Sequence, residues 1–414
     1  MTEPPGSAPT LAGRPLPGGP PRGRPWRAIN GLGIATIVAY GGWFYGFGVL
    51  LQAIADDTGW SVGFLGSVFA AGQLAAGFGA IAGGRLLDRV GGRPTFLLGG
   101  IVGGGLLGIS ALAPTPVLFA MAFTVAAGLI GGTGFYHATM AAARRLDPLN
   151  PVRTIAPLTI WGAFASPIFL PLTAVLVQRL GWRPALGILA VLTAVGMTVG
   201  AAMADGGRAP ATPPTADDLR LRAVVRQVLS APAGRRLLVA IFCTGVGGGM
   251  MLAYQVPIMV SLGLPLGTAA SVAGARGFLQ LGGRVGLERA VGRFGARRLL
   301  AAAGLLSAVA ITLLAFSGNL VVAALFAATA GVAIGAGSPL TGIHAAGVFP
   351  DRHAGALLGA LHTVHGAASA AGPLLGAVSI TTTGSFRPAL GLCGLLFLTA
   401  AALLWSPAPD VGGT

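Results

Sequence analysis

Apolar runs of about 20 residues, each long enough to cross ~30 Å of hydrocarbon, recur from one end of the chain to the other. Their breaks predict twelve helices in two sets of six. The first set falls at about 28–54, 62–86, 95–113, 116–142, 155–177 and 184–203. The second falls at about 236–262, 267–290, 298–316, 319–346, 354–380 and 386–405. Together they predict an all-α membrane protein with an N-terminal bundle over 28–203 and a C-terminal bundle over 236–405.

The polar stretches have their own character. Residues 1–27 hold eight prolines and four arginines, which predicts a disordered basic tail. Residues 204–235 form the longest polar stretch and read as a connector between the bundles. Within it Leu221, Val224, Val225, Val228 and Leu229 fall at helical spacing. That pattern suits an amphipathic helix on the membrane surface, and equally a plain spacer helix. Residues 406–414 make a short final tail.

Composition excludes the soluble classes. Hydrophobic residues make up 54% of the chain and charged residues 9%, too few to clothe a water-exposed globule of this size. The net charge of +15 comes entirely from arginine, since all 26 basic residues are Arg and none is Lys. Twenty-one of them fall on one side of the predicted helices, whereas Arg179, Arg183 and Arg387 fall on the other. The positive-inside rule then places both termini in the cytoplasm of a multi-pass cell (inner or plasma) membrane protein. This distribution tracks a lipid bilayer, with no nucleic-acid partner implied. Cys243 and Cys393 sit inside apolar runs, so no disulfide framework is expected.

A repeat underlies the two sets. Arg183-Pro184-Ala185-Leu186-Gly187 recurs as Arg387-Pro388-Ala389-Leu390-Gly391. Arg89-Val90-Gly91-Gly92-Arg93 recurs in pattern as Arg293-Phe294-Gly295-Ala296-Arg297. Both pairs lie 204 residues apart, which identifies a duplicated six-helix unit.

The segment Gly84-Arg85-Leu86-Leu87-Asp88-Arg89-Val90-Gly91-Gly92-Arg93 resembles the signature loop after the second helix of the major facilitator superfamily. That resemblance implies two pseudo-symmetric six-helix bundles rocking about a substrate site near the membrane midplane. It makes Gly84, Asp88, Arg89, Gly91 and Arg93 candidates for a conformational gate. Asp88 would pair with arginine or a facing helix N-terminus in one conformation and release in the other. A plain basic loop with an incidental Asp is the alternative. At the matching position of the second half stands Gly292, so that loop lacks the carboxylate.

Tyr45-Gly46-Phe47-Gly48-Val49, followed by Gly59-Trp60-Ser61, resembles the monocarboxylate transporter branch. Gly181-Trp182-Arg183-Pro184 is similar to that branch too. Gly277-Phe278-Leu279-Gln280-Leu281-Gly282-Gly283-Arg284 resembles its eighth helix, whose arginine faces the substrate carboxylate. Leu361-His362-Thr363-Val364-His365-Gly366 is similar to a segment of the oxalate:formate antiporter, with His365 where that protein carries lysine. Two departures stand out: Tyr45 takes the place of the first-helix lysine of animal relatives, and Gln280 that of their eighth-helix aspartate.

Arg284 also has a physical argument of its own. An arginine in a predicted span needs a partner or an aqueous cavity, and no Asp or Glu lies deep in any span. A substrate carboxylate, held bidentately, fills that role; snorkelling to the interface is the alternative. Arg276, two turns away, reads as a second carboxylate anchor, an entrance residue or a structural group. His362 and His365 share one helix face, and either can carry a proton near neutral pH. A lone histidine pair without Cys or carboxylate neighbours is a poor metal site, and no cofactor motif is present.

These readings converge on a secondary active transporter, not an enzyme, functional as a monomer. Its expected substrates are small organic anions, moved by proton symport or anion exchange and bound by Arg284, His365, Tyr45, Gln280, Arg276 and His362. An exporter of amphiphilic molecules is the alternative within transport, and a non-transporting sensor the alternative outside it.

Overall fold

The structure, a computed structural model, describes residues 25–147, 152–204, 230–348 and 354–405. The connector helix expected at 221–229 and most of the N-terminal tail lie outside the described residues. Among the described residues the long helical rods number twelve. The first six are α1 Trp26–Thr58, α2 Val62–Val90, α3 Gly92–Leu112, α4 Pro116–Leu146, α5 Arg153–Leu180 and α6 Trp182–Met203. The second six are α7 Pro232–Ser261, α8 Leu266–Gly282, α9 Ala296–Ala315, α10 Leu320–Val348, α11 Ala354–Thr383 and α12 Arg387–Trp405. Ten of these are long and apolar enough to cross a membrane, and no strand occurs among the described residues.

The repeat is visible in the backbone. The starts of α2 and α8, of α3 and α9, and of α4 and α10 are each separated by the same 204 residues that separate the sequence matches. Gly91 and Gly295, likewise matched, both take left-handed φ, 88° and 78°. Each ends a helix and turns the chain straight into the next, a conformation that costs only glycine nothing.

Most of the predicted helix positions hold, with two differences. The span expected at 267–290 stops at Gly282 and resumes as a short helix, Leu287–Phe294. Gly283 packs against the Val332 backbone of α10 and Gly286 takes a φ of 70°, so the chain turns there instead of continuing. Arg284 therefore stands in an exposed turn, not within a helix. The second difference is in α4, which breaks at Phe135, where ψ of 169° leaves the helical region. His137 Nε2 donates to the Gly132 carbonyl at 3.1 Å, satisfying one of the acceptors that the break frees.

Glycine and alanine bring the rods together. In the first half a Cβ at Gly132 would meet the Gly79 backbone, fixing α4 on α2. In the second, a Cβ at Gly249 would meet the Ser369 carbonyl, fixing α7 on α11. At the loop end of the first half Trp182 Nε1 donates to Asp57 Oδ2 at 2.7 Å. Arg183 stacks on the Trp182 ring at 4.4 Å and donates to the Ala111 and Ala113 carbonyls at 3.0 and 3.1 Å. One arginine thus closes α1, α3 and α6 together. In the second half Phe386, 204 residues after Trp182, packs on Tyr254 of α7 instead, with ring centroids 4.9 Å apart.

The halves meet along a seam of small residues. Gly63 and Gly66 of α2 face Thr381 and Ala377 of α11, and the Tyr254 hydroxyl fills the space beside Gly66. Gly274 and Gly277 of α8 lie on Ser166 and Pro167 of α5, and Gly48 of α1 lies on the Ala253 carbonyl of α7. The α2–α11 contacts lie toward the end of the molecule where α1 passes into α2. At the opposite end Gly84 has open space around it and Arg284 is exposed.

Candidate functional site

Arg276 is the one fully buried charged side chain among the described residues, with 0% exposure. Its place follows from its neighbours: with glycine at 274 and 277, α8 leans onto α5 and encloses the side chain between the halves. Ten residues separate it from the start of α8, about 15 Å along the axis, half the thickness of the hydrocarbon core. Its Nε donates to Gln255 Oε1 of α7 at 3.1 Å. Both terminal nitrogens are buried, and among the described residues neither meets an acceptor in full hydrogen-bond geometry. They leave four N–H groups and a positive charge unsatisfied in a low-dielectric interior.

The first half presents phenols to this cation. Tyr45 lies directly beside the Arg276 guanidinium, in side-chain contact with it but outside full hydrogen-bond geometry. Tyr45 ends a π-helical segment, Tyr40–Tyr45, that interrupts α1. Such segments widen a helix by one residue and concentrate at functional sites. Here the segment turns four rings toward the broken α4: Phe135, at the break, stacks flat on Tyr40 with centroids 3.9 Å apart and lies parallel to Trp43 at 5.7 Å. Tyr136 follows at 5.5 Å from Tyr40, and its hydroxyl donates to the Thr159 carbonyl at 3.2 Å. The charge of Arg284 reaches Tyr136 across the seam.

The structure thus distributes the expected site residues. Arg276 and Tyr45 meet where the halves join, and Arg284 stands farther along, beyond the end of α8. Gln280 is half-buried on α8, close against Gly335 of α10. His365 instead packs beside Gly245 of α7 and lines a different cavity, about 370 Å³ in volume, inside the second half. That cavity lies among α7, α9, α10, α11 and α12, walled chiefly by residues such as Leu237, Met251 and Phe397. The side chain of His362 lies outside the described residues. No group of three or more metal-ligating side chains occurs among the described residues.

In the signature segment Asp88 forms an ion pair with Arg145, at the end of α4, which also donates to the Leu87 carbonyl at 2.9 Å. The carboxylate is thereby held inside its own half, on the C-terminal turn of α2. Arg85, Arg89 and Arg93 are exposed.

Sequence reasoning missed Gln255, Phe135 and Arg145. Gln255 carried a signal, a single amide in the apolar run from Met250 to Met259. The α4 break also had one, in the run Gly131-Gly132-Thr133-Gly134. Arg145 read only as one more basic residue of a loop.

Twelve long helices in two repeated halves, ten of them able to cross a membrane, with a buried arginine at their seam, suit a membrane transporter. The sequence profile of the Major Facilitator Superfamily matches residues 32–290 and again 237–413. The chain belongs to that superfamily. Among solved structures it is similar to the nucleoside transporter NupG, at 14% identity and a TM-score of 0.72, covering 92% of this chain and 99% of that one. It is similar to a D-xylose–proton symporter at 17% identity and 0.68, covering 93% and 97% of the two chains. It is also similar to a variant of the peptide transporter POT at 12% identity and 0.74, covering 93% and 95%. At these identities the likeness is one of fold. No curated protein matches the sequence significantly.

Proposed function

We propose that this transporter carries organic anions by alternating access and binds the carboxylate at Arg276. The supporting observation is the buried guanidinium whose terminal nitrogens, among the described residues, meet no acceptor in full hydrogen-bond geometry. A bidentate carboxylate satisfies both nitrogens and neutralises the charge. Arg284, exposed eight residues farther along, serves as the approach cation. The arginine asymmetry orients the signature loop and both termini toward the cytoplasm of a cell membrane, which puts the α2–α11 contacts on the outer side.

The same charge bears on coupling. An empty carrier would have to reorient with an unpaired arginine in its core, whereas the loaded carrier is neutral there. This favours anion exchange over proton symport, and the described residues offer no deep carboxylate as a proton carrier: Asp56, Asp57, Asp88, Asp147 and Glu288 all lie near helix ends. A second reading, export of amphiphilic molecules, is favoured by the largely apolar cavity around His365.

The test is counterflow of labelled carboxylates into proteoliposomes. Arg276→Gln keeps an amide donor but no charge, and should abolish exchange while the protein still inserts. Arg276→Lys keeps the charge but loses the planar fork, and should weaken binding markedly. Wild-type exchange in Arg276→Gln would remove the anion site from this residue.

A further inference from the structure

The two edges of the seam differ in chemistry. On the second half, α8 supplies a cationic edge, with Arg276 buried at the centre and Arg284 exposed farther out. On the first half, α1 and α4 supply a phenolic edge. Tyr45 stands beside Arg276, Tyr40 lies 6.2 Å from Tyr45, and Tyr136 lies 5.5 Å from Tyr40 and within reach of Arg284. All three phenols are only half-buried. The Tyr40 ring is held in place by the parallel Phe135, so this edge is a set surface more than a floppy one.

We infer that the anion taken by this site carries an aromatic ring: an aromatic monocarboxylate, its carboxylate on Arg276 and its ring against Tyr45 and Tyr40. The inference rests on the anion reading above and adds the body of the substrate to its charge. Three physical points carry it. First, a ring beside the half-buried Tyr45 gains edge-to-face or offset contact, which an acetate- or lactate-sized acid is too small to make. Second, Arg276 is enclosed at the seam while Arg284 stands in the exposed turn beyond the end of α8, so a small dianion held at Arg276 meets one buried cation. A short dianion would therefore leave one carboxylate without a cation. Third, an aromatic amino acid would bring an ammonium group, and no described carboxylate lies on the seam to receive it. An aromatic acid without the amine fits both edges.

The experiment uses the full-length protein in proteoliposomes. Labelled benzoate exchange is competed with benzoate, 4-hydroxybenzoate, acetate, lactate, oxalate, succinate and phenylalanine. Benzoate and 4-hydroxybenzoate should compete best, and phenylalanine should fail. Tyr45→Leu should cut the preference for benzoate over acetate by about threefold to tenfold, while Tyr45→Phe retains it. If no benzoate exchange is seen, labelled acetate and labelled oxalate are used instead. Arg276-dependent exchange of either, uncompeted by benzoate, overturns the aromatic inference and leaves the anion reading standing. Absence of exchange with all three labels overturns both. A Tyr45→Leu variant that loses benzoate and acetate equally overturns the ring contact.

Discussion

Arg276 Nε donates to Gln255 Oε1 at 3.1 Å, and among the described residues this is the guanidinium's one bond of full hydrogen-bond geometry. The bond joins α8 to α7 within one half and orients the side chain, while the two nitrogens that match a carboxylate fork are left for a ligand. Gln255, itself 1% exposed, is thus a positioning residue for the cation.

Arg276→Met should separate stability from activity. It removes an unpaired buried charge and fills the space with an apolar chain of similar length, which should stabilise the purified protein by on the order of 1 kcal/mol or more. Anion exchange should be lost. A thermal-unfolding assay in detergent, paired with counterflow, checks both; a lower melting temperature would mean that the arginine is structural.

Asp88→Asn should leave the fold nearly unchanged. Its ion pair with Arg145 is exposed, with the Asp side chain 71% accessible, and such pairs contribute less than about 1 kcal/mol. Exchange should nevertheless slow, with apparent substrate affinity close to normal, because the carboxylate tethers the α2 end to α4. Rates and half-saturation constants measured together check this; a wild-type rate would remove Asp88 from the gate.

Gly66→Val should open the seam. A Cβ at Gly66 already meets the Tyr254 hydroxyl and the Ala377 methyl, and a branched side chain leaves no room for α11. The halves should shift toward the alternative state. In an Ala377→Cys background, where the position is 2% exposed, a maleimide should label faster once Gly66→Val is added. Unchanged labelling would place the mobile contact elsewhere.

Topology can be read with reporter fusions. A fusion after residue 215, in the connector, should report as cytoplasmic, and one near Pro114, between α3 and α4, as external. The reverse pattern would invert the orientation.

Much of this architecture was legible without coordinates. Twelve apolar runs and a 204-residue repeat determine the rods and their pairing, because a lipid environment forces each backbone to satisfy itself within its own helix. The signature segment and the arginine distribution are equally local. The site was legible only in its residue types. Arg276 and Arg284 look alike in sequence, two arginines on one predicted helix, and the sequence argument favoured Arg284. Tertiary packing separates them: Gly274 and Gly277 press one arginine into the seam, while Gly283 and Gly286 end the helix and leave the other exposed. His365 shares that limit, since its helix says nothing of which cavity it will line. Burial depends on which neighbours the close glycine contacts admit, and those neighbours, Gln255 and Tyr45, lie 21 and 231 residues away in the chain.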